Sequence, residues 1–550
     1  MSLHKIIHIY LYIMICTHSF IMPTEITSLQ ETQLPETVDI NDLVSKLSNF
    51  IPLPKKTMAT RANPNNAADF FQASKVSEIL DNALYKKTHP VQFRNILQEP
   101  AFSSSTKSHY HINKQYQHGK WSFNFFFNRD SLKSYTSSED DNEPAKLSSY
   151  IDLSSDTILA AWEKLKNNGI ITGIIINFPE FDIPDLFGLF APMRLQEHRI
   201  GVLAHYHTKW NNLFIDVKLP FLWAERNFNF TEEEKEKIYN NKFLSYFGEV
   251  DEWAFAQQYL ISDQLGIGTL EATISMNLIK AKRSQLNAGI TLFIPTEYAF
   301  KKGLLGTYRE LQTNRPELNF ADMLSSAGNT AVEGWRDKVS DYFEAAFTQF
   351  TANLLQTPLG FDKHPGLALN LSPIWEINDK WTLKSDYSIT LLMAIKQKRL
   401  MTDKIHYNRE ITDLFNAAPD SISKIKIIET AITDRLFPYL SESIVLPGPI
   451  FHSTSCLQHT RKNNTYMIGY DSWLQLREQI LSHSLDREVQ FNIAEAEKPY
   501  AMQVKVFGKI NKIIQAKKRD WTLSLYADYS LFNEALGRDF LINFEIQGTF

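Results

Sequence analysis

The sequence has few cysteines, little net charge and, beyond its first two dozen residues, no long apolar run. Lys and Arg are not clustered into arms and the net charge is only −5, so there is no electrostatic case for nucleic acid as a partner. No later apolar run approaches the ~18 residues of a membrane-spanning helix, which excludes a helical membrane protein. A Gly-rich phosphate loop, Gly-x-Ser-x-Gly, His-Glu-x-x-His and zinc-spaced Cys pairs are missing too. We therefore expect no enzyme, no cofactor and no metal.

The first nineteen residues have the pattern of a secretory signal peptide. Lys5 precedes an apolar stretch from Ile6 to Cys16, and the best small-residue cleavage site follows Ser19. Removing this segment would leave Cys456 as the single cysteine, so we expect no intrachain disulfide in the mature chain.

Aromatic residues, in contrast, are abundant: they make up 13% of the chain, and Phe alone occurs 37 times. The last residues alternate strictly. One face carries Phe540, Ile542, Phe544, Ile546, Gly548 and Phe550, and the other carries Leu541, Asn543, Glu545, Gln547 and Thr549. Such alternation fits a strand half-buried on a soluble core, or a strand with one face in lipid and the other in a wet lumen. The last residue, Phe550, is on the apolar face, and this favours a strand between lipid and a wet lumen.

This closing strand resembles that of bacterial outer-membrane β-barrel proteins, which alternates in the same way and ends in Phe as a signal for their assembly machinery. The resemblance implies the outer membrane of a Gram-negative-type bacterium. It also implies outer-membrane lipid and the assembly machinery as partners, with Phe550 as the assembly signal. No closer family is indicated.

Period-two alternation elsewhere predicts one opening strand and five hairpins before the closing strand. We place the opening strand after Gly119, with Ile170 to Phe178 as its rival. The hairpins cover 199–223, turning at Asn211-Asn212, then 268–294, 367–389, 444–474 and 500–529. The fourth is weak, because Pro447 and Pro449 interrupt its first arm and its connection would be 452–465. The prediction is an all-β fold, an antiparallel transmembrane β-barrel of about twelve strands.

Connection lengths support a membrane barrel over a soluble sandwich. With the C-terminus in the periplasm, the short connections fall on the periplasmic side and the long ones outside, as in outer-membrane barrels. Two long loops, 231–260 and 316–355, carry helical sequence, so we expect helical insertions there. The predicted organisation is a signal peptide at 1–19, a polar N-terminal segment at 20–116 and the barrel at 117–550. The N-terminal segment could be a linker, a periplasmic element or a plug.

Charged residues of the predicted strands fall on the face opposite the apolar one. A charge facing lipid at mid-membrane costs about 2–4 kcal/mol, whereas a watery lumen tolerates it. His205 and His207 share that face. Their spacing would allow them to bind a metal or to act in acid/base chemistry, but we expect them to be ordinary polar residues of the lumen. The candidate pore-lining residues are Arg199, His205, His207, Lys209, Asp216, Lys218, Glu271, Glu376, Lys384, Asp386, Lys505, Asp528 and Glu545.

The polar face continues along several strands, and this favours a porin-like channel for diffusion or uptake of small solutes. The alternative is a closed barrel whose long extracellular loops bind a partner or surface, as an adhesin does. An outer-membrane hydrolase is a weaker alternative, because no residue matches such a family's motif.

Overall fold

The computed structural model describes residues 90–103, 105–106, 119–131, 195–240, 252–308, 310–311, 345, 348–349, 351–402, 417, 438–485, 491–515 and 520–549. These residues all belong to one compact unit, 68–550. The predicted signal peptide, the rival first strand at 170–178, most of the predicted helical loop at 316–355 and Phe550 lie outside the described residues.

Seventeen strands account for most of the described chain. In chain order they are β1 Lys120–Ser131, β2 Leu195–Trp210, β3 Leu213–Phe228, β4 Ile261–Ile267, β5 Leu270–Lys280, β6 Ser284–Ile294, β7 Tyr298–Lys302, β8 Gly366–Glu376, β9 Trp381–Leu392, β10 Ile395–Met401, β11 Tyr439–Leu446, β12 Ile450–Arg461, β13 Asn464–Gln475, β14 Gln479–His483, β15 Ala501–Gln515, β16 Asp520–Glu534 and β17 Arg538–Thr549.

Twelve of these strands close into one antiparallel barrel. The order around it is β1, β2, β3, β5, β6, β8, β9, β12, β13, β15, β16 and β17, and β17 pairs back onto β1 with Phe125 opposite Phe544. A closed sheet leaves no unpaired edge, as a lipid environment requires. The predicted strand count and the predicted first strand are confirmed.

Short turns collect at one end of the barrel and long connections at the other. The short-turn end holds Asn211-Asn212, 281–283, 377–380 and Lys462-Asn463, and at the same end β15 pairs with β16 through Gln515 and Asp520. Asn211 has φ 55° and Lys462 has φ 51°, the left-handed backbone that two-residue hairpin turns need. We call the opposite end the outer end, because long loops face outward in outer-membrane barrels.

Apolar side chains of the strands point away from the barrel axis. Ile290, Leu369 and Ile468 are 55%, 63% and 69% exposed, whereas polar residues on the inner face of the same three strands, Asn287, Ser372 and Asp471, are at most 6% exposed. An apolar outside and a polar inside are the inverse of the arrangement in a soluble protein. Such a barrel is unstable in water and stable in lipid, because acyl chains cover its apolar face. The predicted orientation of the alternating faces is confirmed.

The fourth predicted hairpin is wrong in its first arm. The barrel hairpin pairs β12 with β13, so the predicted connection 452–465 is strand except for the two-residue turn Lys462-Asn463. Residues 444–446 instead end β11, which pairs with β10 and β14 in a separate three-stranded sheet. Pro447 and Pro449 therefore separate two strands of different sheets, because proline cannot donate to a ladder.

Further elements lie in the outer connections. β4 pairs with the outer half of β3 and carries β7, so this wall extends beyond β5. Helices α1 Glu232–Tyr239 and α2 Glu252–Phe255 lie within the predicted helical loop 231–260, and Thr231 and Glu234 form a capping box on α1. A third helix, α3 Ile493–Ala496, precedes β15. Among the described residues no helix is long and apolar enough to cross a membrane.

Substitution of Ile290, in the middle of β6, tests the lipid-facing assignment. We expect Ile290→Arg to lower the free energy of unfolding in phospholipid bilayers by about 2–4 kcal/mol, because the guanidinium would lie near mid-membrane. Ile377→Arg is the matched control: Ile377 is equally exposed, at 55%, but follows β8 at the short-turn end. Its cost should be about 0–1 kcal/mol. Equal costs measured by urea titration would contradict the assignment.

Candidate functional site

Part of the N-terminal segment lies inside the barrel. We call residues 90–106 the plug segment; all but residue 104 are described. Gln92 contacts Gln475 at the outer end of β13, and the Ser105 carbonyl accepts a hydrogen bond from Cys456 near the middle of β12. The segment therefore descends from the outer end toward mid-barrel, and β1 then starts at the short-turn end.

Short 3₁₀ turns, not a long helix, shape the plug segment. Asn95 caps the turn Ile96–Gln98, because its Oδ1 accepts from the Leu97 amide at 2.9 Å. Pro100 then begins a second turn, Pro100–Phe102. Such tight turns keep the segment narrow enough to share the lumen with inward side chains.

One lysine joins the plug segment to the barrel wall. Lys505 on β15 is fully buried, and its Nζ donates to Glu99 of the plug segment and to Asp539 of β17. Asp528 of β16 lies 3.5 Å from the same nitrogen. The three carboxyl groups offer oxygens within 4.8 Å of one another, a spacing that could hold a metal ion, but the lysine ammonium already supplies the positive charge.

A second buried ion pair holds the plug segment, at a level of the wall where Asp471 of β13 lies opposite Lys505 of β15. Arg94 Nη1 donates to Asp471 of β13 at 2.6 Å, and Asp471 Oδ1 also lies 2.6 Å from His452 Nε2. The Trp473 indole donates to Gln98 Oε1 at 3.0 Å. Because removing one partner of a buried ion pair leaves a charge without compensation, these contacts strongly favour the plugged arrangement.

Apolar packing completes the seal along one side of the lumen. Phe102 lies edge-on to Phe126 of β1 with ring centroids 5.8 Å apart. Around them a buried cluster combines plug residues with the wall; its members include Ile96, Leu97, Ala101, Leu203, Leu222, Met467, Phe507 and Tyr526. The lumen beside β1, β2, β12, β13, β15, β16 and β17 is therefore filled.

The opposite side of the lumen retains a polar cavity, which we call the lumen cavity. Its wall comes mainly from β3, β5, β6, β8 and β9, and the plug segment contributes Leu97, Gln98, Phe102 and Ser103. Within it Lys218 donates to Glu271, and Ser372 donates to Asp386 at 2.7 Å. Both charge signs are present on the wall, so the cavity has a hydrated, mixed-charge surface.

The thirteen predicted pore-lining residues divide into three groups. Five contact the lumen cavity: His207, Asp216, Lys218, Glu271 and Asp386. Six are buried elsewhere inside the barrel: Arg199, His205, Lys384, Lys505, Asp528 and Glu545. Lys209 and Glu376 are exposed at the short-turn end. Their role in lining a conducting pore stays a prediction.

The two histidines are paired with one carboxylate. His205 Nε2 and His207 Nδ1 lie 3.0 and 2.8 Å from Asp216 Oδ1, and Ser122 Oγ lies 3.2 Å from His205 Nδ1. Ser, His and Asp in series resemble a hydrolase triad in residue type. Ser122 and His205 are only 1% exposed, however, and neither lines the lumen cavity, so a substrate carbonyl cannot reach the hydroxyl.

A second cavity, the outer cavity, lies between the plug segment and the loop before β8. Gln98 lines both cavities and so stands between them. Lys498 Nζ lies 2.7 Å from Asp362 in this loop. Burial raises the pKa of Asp362, but the charge and hydrogen bond of Lys498 outweigh it and lower the pKa to about 2. The pair therefore stays charged at neutral pH.

The sequence pattern alone missed the residues that fix the plug segment. Asp471 and Asp539 lie at alternate positions on the inward faces of predicted strands, and the alternation pattern could therefore have identified them. Arg94 and Glu99 carry no such signal, because they lie outside any alternating stretch and their partners are more than 370 residues away.

No family model matches this chain, and no curated protein matches it. Solved structures similar to it include an outer-membrane channel from Pseudomonas putida F1, with TM-score 0.36, 9% identity, and coverage of 80% of this chain and 98% of that one. The β domain of the Bordetella autotransporter BrkA has TM-score 0.31 and 6% identity, covering 79% and 100%. The Pseudomonas putida toluene transporter TodX has TM-score 0.28 and 9% identity, covering 86% and 97%.

These scores are too low to carry an argument, so the assignment depends on the strand pairing, the apolar outer face and the sorted connections described above. The chain forms a closed, twelve-stranded antiparallel β-barrel with an apolar outer face.

Removal of the Arg94 guanidinium tests how firmly the plug segment is held. In Arg94→Met the buried Asp471 loses its guanidinium partner, a loss of about 3–5 kcal/mol for a buried pair. We expect amide hydrogen exchange of residues 96–103 to accelerate by about 100-fold or more, with β12 and β13 unchanged. Arg477→Met is the control, because Arg477 pairs with Glu497 on the half-exposed outer surface. Acceleration in both variants, or in neither, would contradict a plug held by Arg94.

Proposed function

We propose that the protein is a plugged outer-membrane channel that passes small hydrophilic solutes when the plug segment moves. The observation that carries this proposal is the polar lumen cavity beside the plug segment, lined by inward residues of five consecutive barrel strands. A barrel that served only as a scaffold would gain stability by filling this space with apolar side chains.

Two barriers close the path at rest. Gln98, fixed by the Trp473 indole, separates the lumen cavity from the outer cavity. Above it Phe361 packs edge-on against Phe293 with centroids 5.0 Å apart. Movement of the plug segment would remove the first barrier and join the two cavities.

A disulfide between the plug segment and the wall would test whether this movement is needed. The native Cys456 thiol, the only one among the described residues, lies 3.5 Å from the Ser105 carbonyl, so Ser105→Cys introduces a second thiol at a residue whose backbone contacts Cys456. We expect the oxidised variant to show almost no current in planar bilayers and reductant to restore it. Thiol titration verifies that the bond has formed.

Two controls make this test specific. Wild-type protein, which has Ser105 in place of the new cysteine, should not respond to the same oxidant and reductant. Ser105→Cys combined with Cys456→Ser should not respond either. Equal currents before and after verified disulfide formation would show that conduction does not require the plug segment to move.

Lys218 tests whether the lumen cavity is part of the conducting path. Lys218 lies in the cavity wall with Asp216, Glu271 and Asp386 nearby, so Lys218→Glu makes that wall predominantly negative. We expect the reversal potential in a KCl gradient to shift toward cation selectivity. Lys209→Glu makes the same charge change at an exposed position outside the cavity and should shift it little. Equal shifts would place the conducting path elsewhere.

A second candidate function is a closed barrel that presents its outer surface to a partner. It is favoured by the direction of the plug segment, which runs inward from the outer end, and by the extra sheet of β10, β11 and β14 in the outer connections. An epitope inserted before residue 90 would be accessible to antibody on intact cells under this candidate. Accessibility without any current in the reduced or wild-type protein would favour it over the channel.

A further inference from the structure

The short-turn end of the barrel carries many exposed basic side chains. The turn between β5 and β6 holds Lys280, Lys282 and Arg283, and all three are exposed. Arg461 and Lys462, at the turn between β12 and β13, are exposed too. Neither turn contains an acidic residue. These cations lie far apart in the chain and form no basic run in the sequence; they reach the same end because the barrel brings its turns there.

Acidic side chains are fewer at this end. Among the described residues there, Glu376 and Asp379 are the exposed acids, and both lie where β8 turns into β9, with Lys380 directly after them. The β2–β3 turn adds the exposed Lys209. The exposed side chains of this end therefore have a net positive charge.

Neighbouring carboxylates do not neutralise these cations. None of the lysines and arginines named above forms an ion pair within the described part of the chain. Exposed lysines at the outer end, in contrast, include two with partners: Lys302 Nζ lies 2.7 Å from Glu310, and Lys396 Nζ lies 3.0 Å from Glu442. The cations of the short-turn end thus remain available to an anion from outside the protein.

Aromatic residues show the depth of these cations in a membrane. Trp210, Trp381 and Tyr466 are exposed at the same end. Outer-membrane barrels place such aromatic girdles at the membrane–water interface. Lys209 and Lys380 directly precede the two tryptophans. Because successive strand residues are about 3.3 Å apart, these cations lie within a few ångströms of the girdle, at the depth of the lipid phosphate groups.

The cations follow the rim of the barrel instead of forming one patch. Their turns join β2 to β3, β5 to β6, β8 to β9 and β12 to β13, and these strands are consecutive around the barrel. A compact soluble ligand would contact only part of such a rim. Lipid headgroups surround the barrel and reach every turn, so the arrangement fits a shell of anionic lipids.

We propose that the cations of these four turns form a basic collar that binds the phosphate groups of anionic phospholipids in the leaflet next to the short-turn end. A lysine or arginine near a membrane surface attracts anionic headgroups, and the arginine guanidinium matches a phosphate with two parallel hydrogen bonds. The collar holds this end of the barrel at the headgroup level. The proposal concerns the contact with the membrane and does not depend on whether the barrel conducts.

Lipid selectivity of the full-length protein in phosphatidylcholine vesicles tests the collar. Electron paramagnetic resonance measures the relative association of spin-labelled phosphatidylglycerol and spin-labelled phosphatidylcholine with the barrel. In about 0.1 M KCl we expect an average preference for phosphatidylglycerol of about threefold, because one cation favours an anionic headgroup by about fivefold and one leaflet of the two meets the collar. In about 1 M KCl the preference should fall close to one, since the screening length drops from about 10 to about 3 Å.

A triple variant of the β5–β6 turn locates the binding. Lys280→Gln, Lys282→Gln and Arg283→Gln together remove part of the collar, so the preference should fall to about twofold. All three side chains are exposed, and Gln should leave the fold unchanged. The control variant makes the same change in net charge at three exposed lysines of the outer end: Lys302→Gln, Lys396→Gln and Lys398→Gln. It should keep the wild-type preference.

Glycerol phosphate in solution separates a lipid partner from a soluble phosphate compound. An excess should leave the lipid preference unchanged, because the collar meets many headgroups of one bilayer at once. Loss of the preference would assign the collar to soluble phosphate and overturn the proposal. Equal association of both labelled lipids with the wild type, a preference that persists in the high salt, or the same preference in both triple variants would overturn it as well.

Discussion

Burial of Lys505 among carboxylates from three parts of the chain is the interaction on which the closed barrel depends. Asp528 and Asp539 come from neighbouring strands, and Glu99 comes from the plug segment. Without Glu99 the wall would expose this ionic cluster to the lumen; without Lys505 three buried carboxyl groups would repel one another. The cluster thus joins the last strands of the barrel to the segment that fills it.

The membrane imposes the complementary constraint. Because lipid takes the apolar residues of every strand, the interior must accept the polar and charged ones. A barrel of twelve strands is too wide for its own inward side chains to fill completely. The plug segment occupies one side with matched charge and apolar packing, and the other side retains the lumen cavity. The width of the barrel therefore explains both the plug segment, which closes one side of the lumen, and the polar cavity that remains on the other side.

Much of the barrel could be predicted from the sequence, because each strand carries its own signal. The alternation around Phe544, the Asn211-Asn212 turn and the aromatic run at Phe125 gave the strands and their faces without knowledge of their neighbours. Prediction failed at Ile444, where a short alternating run belonged to an outer sheet rather than the barrel. It could not find the contacts of Arg94 and Glu99, because a buried ion pair depends on two distant positions meeting.

A double-mutant cycle between Glu99 and Lys505 tests the central claim most directly, because the two residues meet only if the plug segment occupies the lumen. The free energy of unfolding would be measured in phospholipid bilayers for the wild type, Glu99→Gln, Lys505→Met and the double variant. We expect a coupling free energy of about 1–3 kcal/mol, because Lys505→Met would lower the free energy of unfolding by less once the Glu99 charge is gone. Additivity within about 0.3–0.5 kcal/mol would show that these two residues do not interact and would contradict a plugged barrel.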